Sequence, residues 1–400
     1  MSSPTEAQLV ELARASLYPN YAQPPFVLVR GRGCDLWDAS GRQYLDLCAG
    51  IAVSTLGHAH PRLVAAIAAQ AGTLMHVSNY YYNEPNIRLA ARLRELTGLA
   101  RVLFCNSGTE AIEAMLKLAR RHFYARGEQD RYRVVAFRNA FHGRTLGALA
   151  VTGQPKYRDG FGPLLGVTHV PFGDAEAVRA AMGPDVAAIL VEPVQGEGGV
   201  VPAPTGFLAA LRAIADAHGA LLLGDEVQTG LGRTGAFLGF QREGVRPDAV
   251  ALAKALGGGF PIGAMAASDA LLEALPPGSH GSTFGGNPLA SAAALAVLDV
   301  MEEERLVEGA RTKGEHLALA LSELAARHPT KVAATRGVGL LHAVALRPEI
   351  DAGRALAATR TEGVLLTLAG GALRLSPPLV VTTEQLDRGL AAIDRALATL

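Results

Sequence analysis

The order of apolar and polar positions divides the chain into three stretches. Residues 6–17 repeat apolar positions at helical spacing and read as a short amphipathic helix. Pro19, Pro24 and Pro25 then hold the backbone extended. Over 26–47 apolar and polar residues alternate as in a β-meander, with a turn signal at Asp38-Ala39-Ser40-Gly41. From residue 60 short apolar runs alternate with helical periods. Strands are expected at 101–105, 133–137, 166–170, 186–191, 219–223, 248–252 and 262–267, and helices at 62–74, 85–98, 109–125, 174–182 and 205–218. That alternation indicates a mainly parallel sheet covered on both faces.

A long helical region follows at 287–326. The tail mixes strands (338–346, 364–368, 372–375) with helices (351–361, 383–399) and reads as a smaller α+β unit completed by the N-terminal meander. The expected class is therefore α/β, with a large domain built on a seven-stranded, mainly parallel sheet and a smaller α+β domain. Residues 1–59 are expected to contribute to the small domain, 60–290 to form the large one, and 291–400 to form the rest of the small one. Four hundred residues, with 49% hydrophobic, suit two cores better than one.

Charge and cysteine usage narrow the partners. Lys plus Arg number 37 and Asp plus Glu number 37, so no basic excess points to nucleic acid or an anionic membrane. Cys34, Cys48 and Cys105 show no metal spacing, and their odd count fits reduced thiols in the cytoplasm. The N-terminus has neither a basic start nor an apolar core, and no apolar run reaches membrane length, so no secretory signal or span is expected. Small molecules, or another copy of the chain, are the expected partners.

Three motifs carry chemistry. Asn106-Ser107-Gly108-Thr109-Glu110-Ala111 joins an expected strand to a helix, where free N–H groups, a helix dipole and hydroxyls can hold a phosphate. The same residue types cap a helix, so either role fits the motif alone. Asp225 follows the apolar run at Leu222-Leu223-Gly224, at the carboxyl edge of the sheet where α/β proteins bind ligands. A buried acid there needs a cationic partner, such as a protonated pyridine, although an Asp capping the next turn reads equally well. Lys254 ends the run Ala249-Val250-Ala251-Leu252-Ala253, before Gly257-Gly258-Gly259. A lysine at a strand end is commonly just solvated, but a Schiff-base lysine needs the same siting. Phosphate cradle, acid and lysine in this order match the phosphate, pyridine nitrogen and aldehyde carbon of pyridoxal 5'-phosphate.

With these motifs in place, the chain resembles the class III aminotransferases of fold type I, in the acetylornithine and ornithine aminotransferase branch. The matching residues run from Gly57-His58-Ala59-His60-Pro61 to Leu373-Arg374-Leu375-Ser376-Pro377-Pro378-Leu379. They include Phe141-His142-Gly143-Arg144-Thr145, Glu192-Pro193-Val194-Gln195-Gly196-Glu197, Asp225-Glu226-Val227-Gln228-Thr229-Gly230 and Gly281-Ser282-Thr283-Phe284-Gly285-Gly286. The resemblance implies that Lys254 binds the cofactor and then acts as general base, while Asp225 keeps the pyridine nitrogen protonated. It places Phe141 and Val227 on the two ring faces and Gln228 on the phenolic oxygen. Ser107, Gly108 and Thr109 would hold the phosphate, with Thr283 reaching in from the second subunit of a homodimer.

For substrates, the resemblance assigns the α-carboxylate of glutamate or 2-oxoglutarate to Arg374 and the distal carboxylate to Arg144. Glu197 would mask Arg374 when an ω-amine enters. Ser282 would also lie at the substrate site, and Tyr21 would sit near a substrate α-amine. The implied reaction moves the ω-amino group of N2-acetylornithine to 2-oxoglutarate, giving N-acetylglutamate 5-semialdehyde and glutamate, as in arginine biosynthesis. Ornithine, succinylornithine and succinyl-diaminopimelate are alternative donors. A non-catalytic PLP-binding protein would be marked by loss of the lysine or the aspartate, and both are present.

Overall fold

The apolar runs form strands where both sheet faces must be covered. The computed structural model describes residues 4–400. Its main sheet comprises β1 (Arg101–Cys105), β2 (Arg133–Phe137), β3 (Val167–Val170), β4 (Val186–Val191), β5 (Leu221–Asp225), β6 (Ala249–Leu252) and β7 (Gly263–Ala267). Their order across the sheet is β1-β7-β6-β5-β4-β2-β3. β3, β2, β4, β5 and β6 are parallel. β7 runs antiparallel to both of its neighbours, β6 and β1. Alternation carries Val134 and Ala136 into one core and Val135 and Phe137 into the core on the opposite face. Every residue of β4 is buried, as a central parallel strand requires.

Helices cover both faces. α1 (Gly108–Ala125) follows β1 and buries Ile112, Met115, Leu116 and Phe123. α2 (Phe207–His218) precedes β5 and ends on Gly219, whose φ of 59° is the left-handed conformation that glycine accepts without strain. That cap delays the strand. The sequence expectation of 219–223 becomes 221–225, and Asp225 is the last strand residue rather than the first loop residue.

The long helical region divides into α3 (Pro288–Glu303) and α4 (Leu306–Arg327), broken at Arg305, where φ is 52°. The strand expected at 338–346 is a hairpin of Val332–Val338 and Leu341–Leu346. Its first arm is mostly part-exposed and so lacked an apolar run to read. The hairpin pairs with Ala372–Leu375, which pairs in turn with Thr367–Ala369. The N-terminal meander forms its own sheet, in which Gln43–Asp46 takes Val364–Leu365 as a parallel neighbour. The N-terminal meander is thus tied to residues 364–365 of the C-terminal part of the chain. No helix among the described residues is long and apolar enough to cross a membrane.

Candidate active site

A cavity of about 410 Å³ opens at the carboxyl edge of the parallel strands, lined by Ser107, Phe141, Asp225, Val227 and Lys254 among others. Ser107 caps α1, its Oγ accepting from the Glu110 N–H at 3.4 Å and donating to Glu110 Oε2 at 2.7 Å. The N–H groups of Gly108 and Thr109, one residue further into the helix, have no acceptor among the described residues. The cap is present, and the geometry leaves room for the second reading as well. The hydroxyl caps the helix, and the free N–H groups and helix dipole face the cavity as an anion cradle. A Cβ on Gly108 would lie 2.7 Å from Val227 Cγ1, so only glycine leaves this wall open.

Thr109 Oγ1 serves the same wall differently. It accepts from the N–H groups of Arg144 and Thr145, each at 3.3 Å, and shares a 2.9 Å hydrogen bond with Thr145 Oγ1. Thr145 donates in turn to Glu113 at 2.6 Å. The cradle and the Arg144 loop are thereby one hydrogen-bonded unit. The Arg144 guanidinium lies 4.0 Å over the Tyr157 ring, and Tyr157 meets Phe141 edge to face at 5.6 Å.

The acid, the lysine and the second arginine converge opposite. Asp225 is buried, with Oδ2 accepting from His142 Nδ1 at 2.7 Å and Oδ1 from the Val227 N–H at 3.0 Å. His142 Nε2 is buried without a partner. Lys254 follows β6 and adopts a φ of 41°, a left-handed geometry unusual for lysine. Burial pulls its ammonium down to about 8, with Arg374 adding to the effect and Glu197, Asp225 and Glu192 opposing it. Glu192 is buried beside them. Burial, and then the nearby Asp225, push its carboxyl well above the usual range, while it accepts from the Phe141 and Gly196 N–H groups at 3.1 and 3.3 Å.

Arg374, on the strand Ala372–Leu375, has a side chain 1% exposed and paired with Glu197. Its Nε donates to Thr367 Oγ1 at 3.0 Å, and Nη1 also reaches Gln228 Oε1 at 3.3 Å. Gln228 therefore has its amide nitrogen as the end that can donate. Burial raises the Glu197 carboxyl, but Arg374, Lys254 and Gln228 together hold it below its ordinary value.

Most expected residues meet here. Ser107, Gly108, Thr109, Phe141, Arg144, Glu197, Asp225, Val227, Gln228 and Lys254 all line the cavity, and Arg374 joins through Glu197. Three lie apart in the single chain. Tyr21 is 77% exposed, Thr283 is exposed, and Ser282 accepts from Asn106 behind the cradle at 3.3 Å. Sequence reasoning assigned no role to His142, Glu192, Thr367 or Val53. His142 and Glu192 stood within the motifs, but the His142–Asp225 contact spans 83 positions and left no local signal.

The residues fit pyridoxal phosphate: free N–H groups at a helix start, a fixed buried carboxylate and a buried amine held near neutrality share one cavity of suitable size.

Comparison with known proteins agrees with this geometry. The model of the family described as "Aminotransferase class-III" matches residues 17–397. The acetylornithine aminotransferase of Myxococcus xanthus is 52% identical over 388 residues, 96% of each chain. The succinylornithine transaminase/acetylornithine aminotransferase of Pseudomonas aeruginosa is 45% identical over 96% of this chain and 95% of its own. A solved structure of the ornithine aminotransferase of Toxoplasma gondii, with PLP at partial occupancy in its active site, superposes with a TM-score of 0.95 at 34% identity. That match covers 99% of this chain and 95% of the other.

Proposed function

Because the chain belongs to the class-III aminotransferase family, we propose that its amino donor is N2-acetylornithine, with 2-oxoglutarate as acceptor. The protein is a pyridoxal-phosphate enzyme. The observation that carries the substrate reading is the Glu197–Arg374 pair beside Lys254, with Arg144 also lining the cavity and in no ion pair among the described residues. An ω-amine substrate brings one carboxylate and glutamate brings two. A single site must offer one arginine in the first half-reaction and two in the second. A closed pair that a second carboxylate can open meets that need.

When bound, pyridoxal phosphate supplies an electron sink and carries the amino group between the two half-reactions. The chain does the rest. The Gly108 and Thr109 N–H groups would bind the phosphate. Asp225, fixed by His142 and Val227, would present its carboxylate to the ring nitrogen. Lys254 Nζ would take the proton from the carbon bearing the transferred amine and deliver it to the cofactor's carbonyl-derived carbon, and run that transfer in reverse with the second substrate. Phe141, held through its N–H by Glu192, and Val227 both line the cavity and would flank the ring.

The same reading includes a homodimer working in the cytoplasm. It is supported by an exposed apolar face beside Thr283: Tyr80, Tyr81 and Tyr82 are 92, 72 and 95% exposed, and Phe284 is 59% exposed. Asn79 ties the two segments together, donating to the Ser282 and Gly285 carbonyls at 2.9 and 3.0 Å. A second copy on this face would bring Thr283 and Ser282 to its cavity. Succinylornithine is the nearest competing donor, given the dual name of the Pseudomonas aeruginosa relative.

Titrating the purified holoenzyme with each amine tests the proposal. Acetylornithine should bleach the cofactor's visible band, and 2-oxoglutarate should restore it. A band bleached by ornithine and not by acetylornithine would overturn the substrate.

A further inference from the structure

Residues 49–52 form a backbone turn that L-amino acids resist. Ala49, Gly50, Ile51 and Ala52 have φ of 48, 62, 68 and 61°, so four residues in succession are left-handed and three of them are not glycine. The turn closes on itself, with the N–H groups of Val53 and Ser54 donating to the Ala49 carbonyl at 2.7 and 2.9 Å. Something outside the turn must hold it in this state.

That holder is Asp46, which is fully buried. Its Oδ1 accepts from the Cys48 N–H at 2.9 Å and from the Ala49 N–H at 2.8 Å, the two amides that lead into the turn. Its Oδ2 is occupied separately by His58 Nε2 at 2.7 Å. The segment so fixed reaches both halves of the site. Val53 lines the cavity, and Thr55 Oγ1 donates to the carbonyl of Ala255, the residue after Lys254, at 3.3 Å. On the other side Ser376, two residues past Arg374, donates from Oγ to the Cys48 carbonyl at 3.1 Å and from N–H to the Leu47 carbonyl at 2.8 Å.

We propose that Asp46 is a positioning residue for the reaction: its Oδ1 holds residues 49–52 left-handed, so that one clamped segment sets Val53, the Lys254 loop and the Arg374 strand at fixed separations. The charge of Asp46 is not the working feature, because one acceptor atom makes both bonds into the turn. Asp46→Asn keeps that acceptor and turns its amide toward His58, so it preserves the clamp. Asp46→Ala removes it. Glycine at 49 and 52 accepts positive φ freely, so Ala49→Gly with Ala52→Gly relieves two of the three strained positions, leaving Ile51, and lowers what the clamp must hold.

The test uses the holoenzyme and rests on the aminotransferase reading only for its choice of donor. The wild type is assayed in parallel with acetylornithine and ornithine, and the donor it uses is taken forward. Failure on both donors would count against that reading and not against the clamp, which is also read by amide exchange at Val53 and Ser54. D46A should lower kcat/KM tenfold or more and speed exchange at both amides. D46N should stay within threefold of wild type on both measures. The triple variant D46A/A49G/A52G should recover most of the lost kcat/KM and protection. Should D46A give no folded holoenzyme, recovery of a folded, active triple variant carries the same support. Equal losses in D46N and D46A, a D46A enzyme within twofold of wild type, or a triple variant no better than D46A would each overturn the proposal.

Discussion

Glu197→Ala should shift the balance between the two half-reactions, and the size of the shift follows from the pair's setting. The Arg374 side chain is 1% exposed and that of Glu197 18% exposed, so the pair is shielded on one side and meets the cavity on the other. Opposite charges about 4 Å apart, at an effective dielectric near 20, attract by about 4 kcal/mol. Water from the cavity replaces part of this when Glu197 is cut back. Arg374 also keeps Thr367 Oγ1, the Gly196 carbonyl and Gln228 Oε1 as acceptors. Roughly half, about 2 kcal/mol, is then what glutamate's carboxylate no longer has to displace, and at about 1.4 kcal/mol per decade this is near 30-fold. Stopped-flow single turnovers, each half-reaction followed through the cofactor band, should show kcat/KM for glutamate relative to acetylornithine rising by about that factor. A ratio changed by less than threefold, or both halves falling in parallel, would refute the gate.

Two further outcomes follow from the same site. Thr367→Val removes the acceptor for Arg374 Nε and should raise the KM for 2-oxoglutarate about fivefold, near 1 kcal/mol, with the acetylornithine half-reaction unchanged; steady-state kinetics with each substrate varied would show it. In the cofactor-free chain, acylation of Lys254 by acetic anhydride, read by peptide mass spectrometry, should rise with pH through a midpoint about 8. The sign follows from burial depressing the folded-state value, so the reactive neutral amine appears earlier than on an ordinary lysine; a midpoint near 10.5 would contradict the buried siting.

The main sheet was legible because its strands are buried on both faces and write themselves as apolar runs. All seven appear, displaced by no more than two residues. Val332–Val338 was not legible, since an arm with one buried residue carries no run and is defined by its partner strand. The break at Arg305 was hidden because neither proline nor glycine marks it. Among the cavity-lining residues, those in contiguous motifs at strand ends stood out in the sequence, because the strand's exit fixes where they point. Those that act through another side chain were not. Thr367 gains its role from Arg374 on the neighbouring strand, and His142 from Asp225 on another element. Such pairings are made by folding and leave no periodic trace.

The reversed direction of β7 decides how Lys254 is carried. Because β7 returns antiparallel beside β6, both ends of the segment 253–262 are anchored at the same sheet edge, Leu252 opposite Ala264 and Gly263 opposite Cys105. Lys254 therefore rides on a closed hairpin bend instead of the start of a free crossover. At its far end Gly263 abuts the Ser107 carbonyl, where an added Cβ would come within 2.4 Å. The amine and the anion cradle thus share a wall whose spacing is set when the sheet zips together. Recognition of the cofactor then needs no loop to fold around it, and its ordering entropy has already been met by the fold.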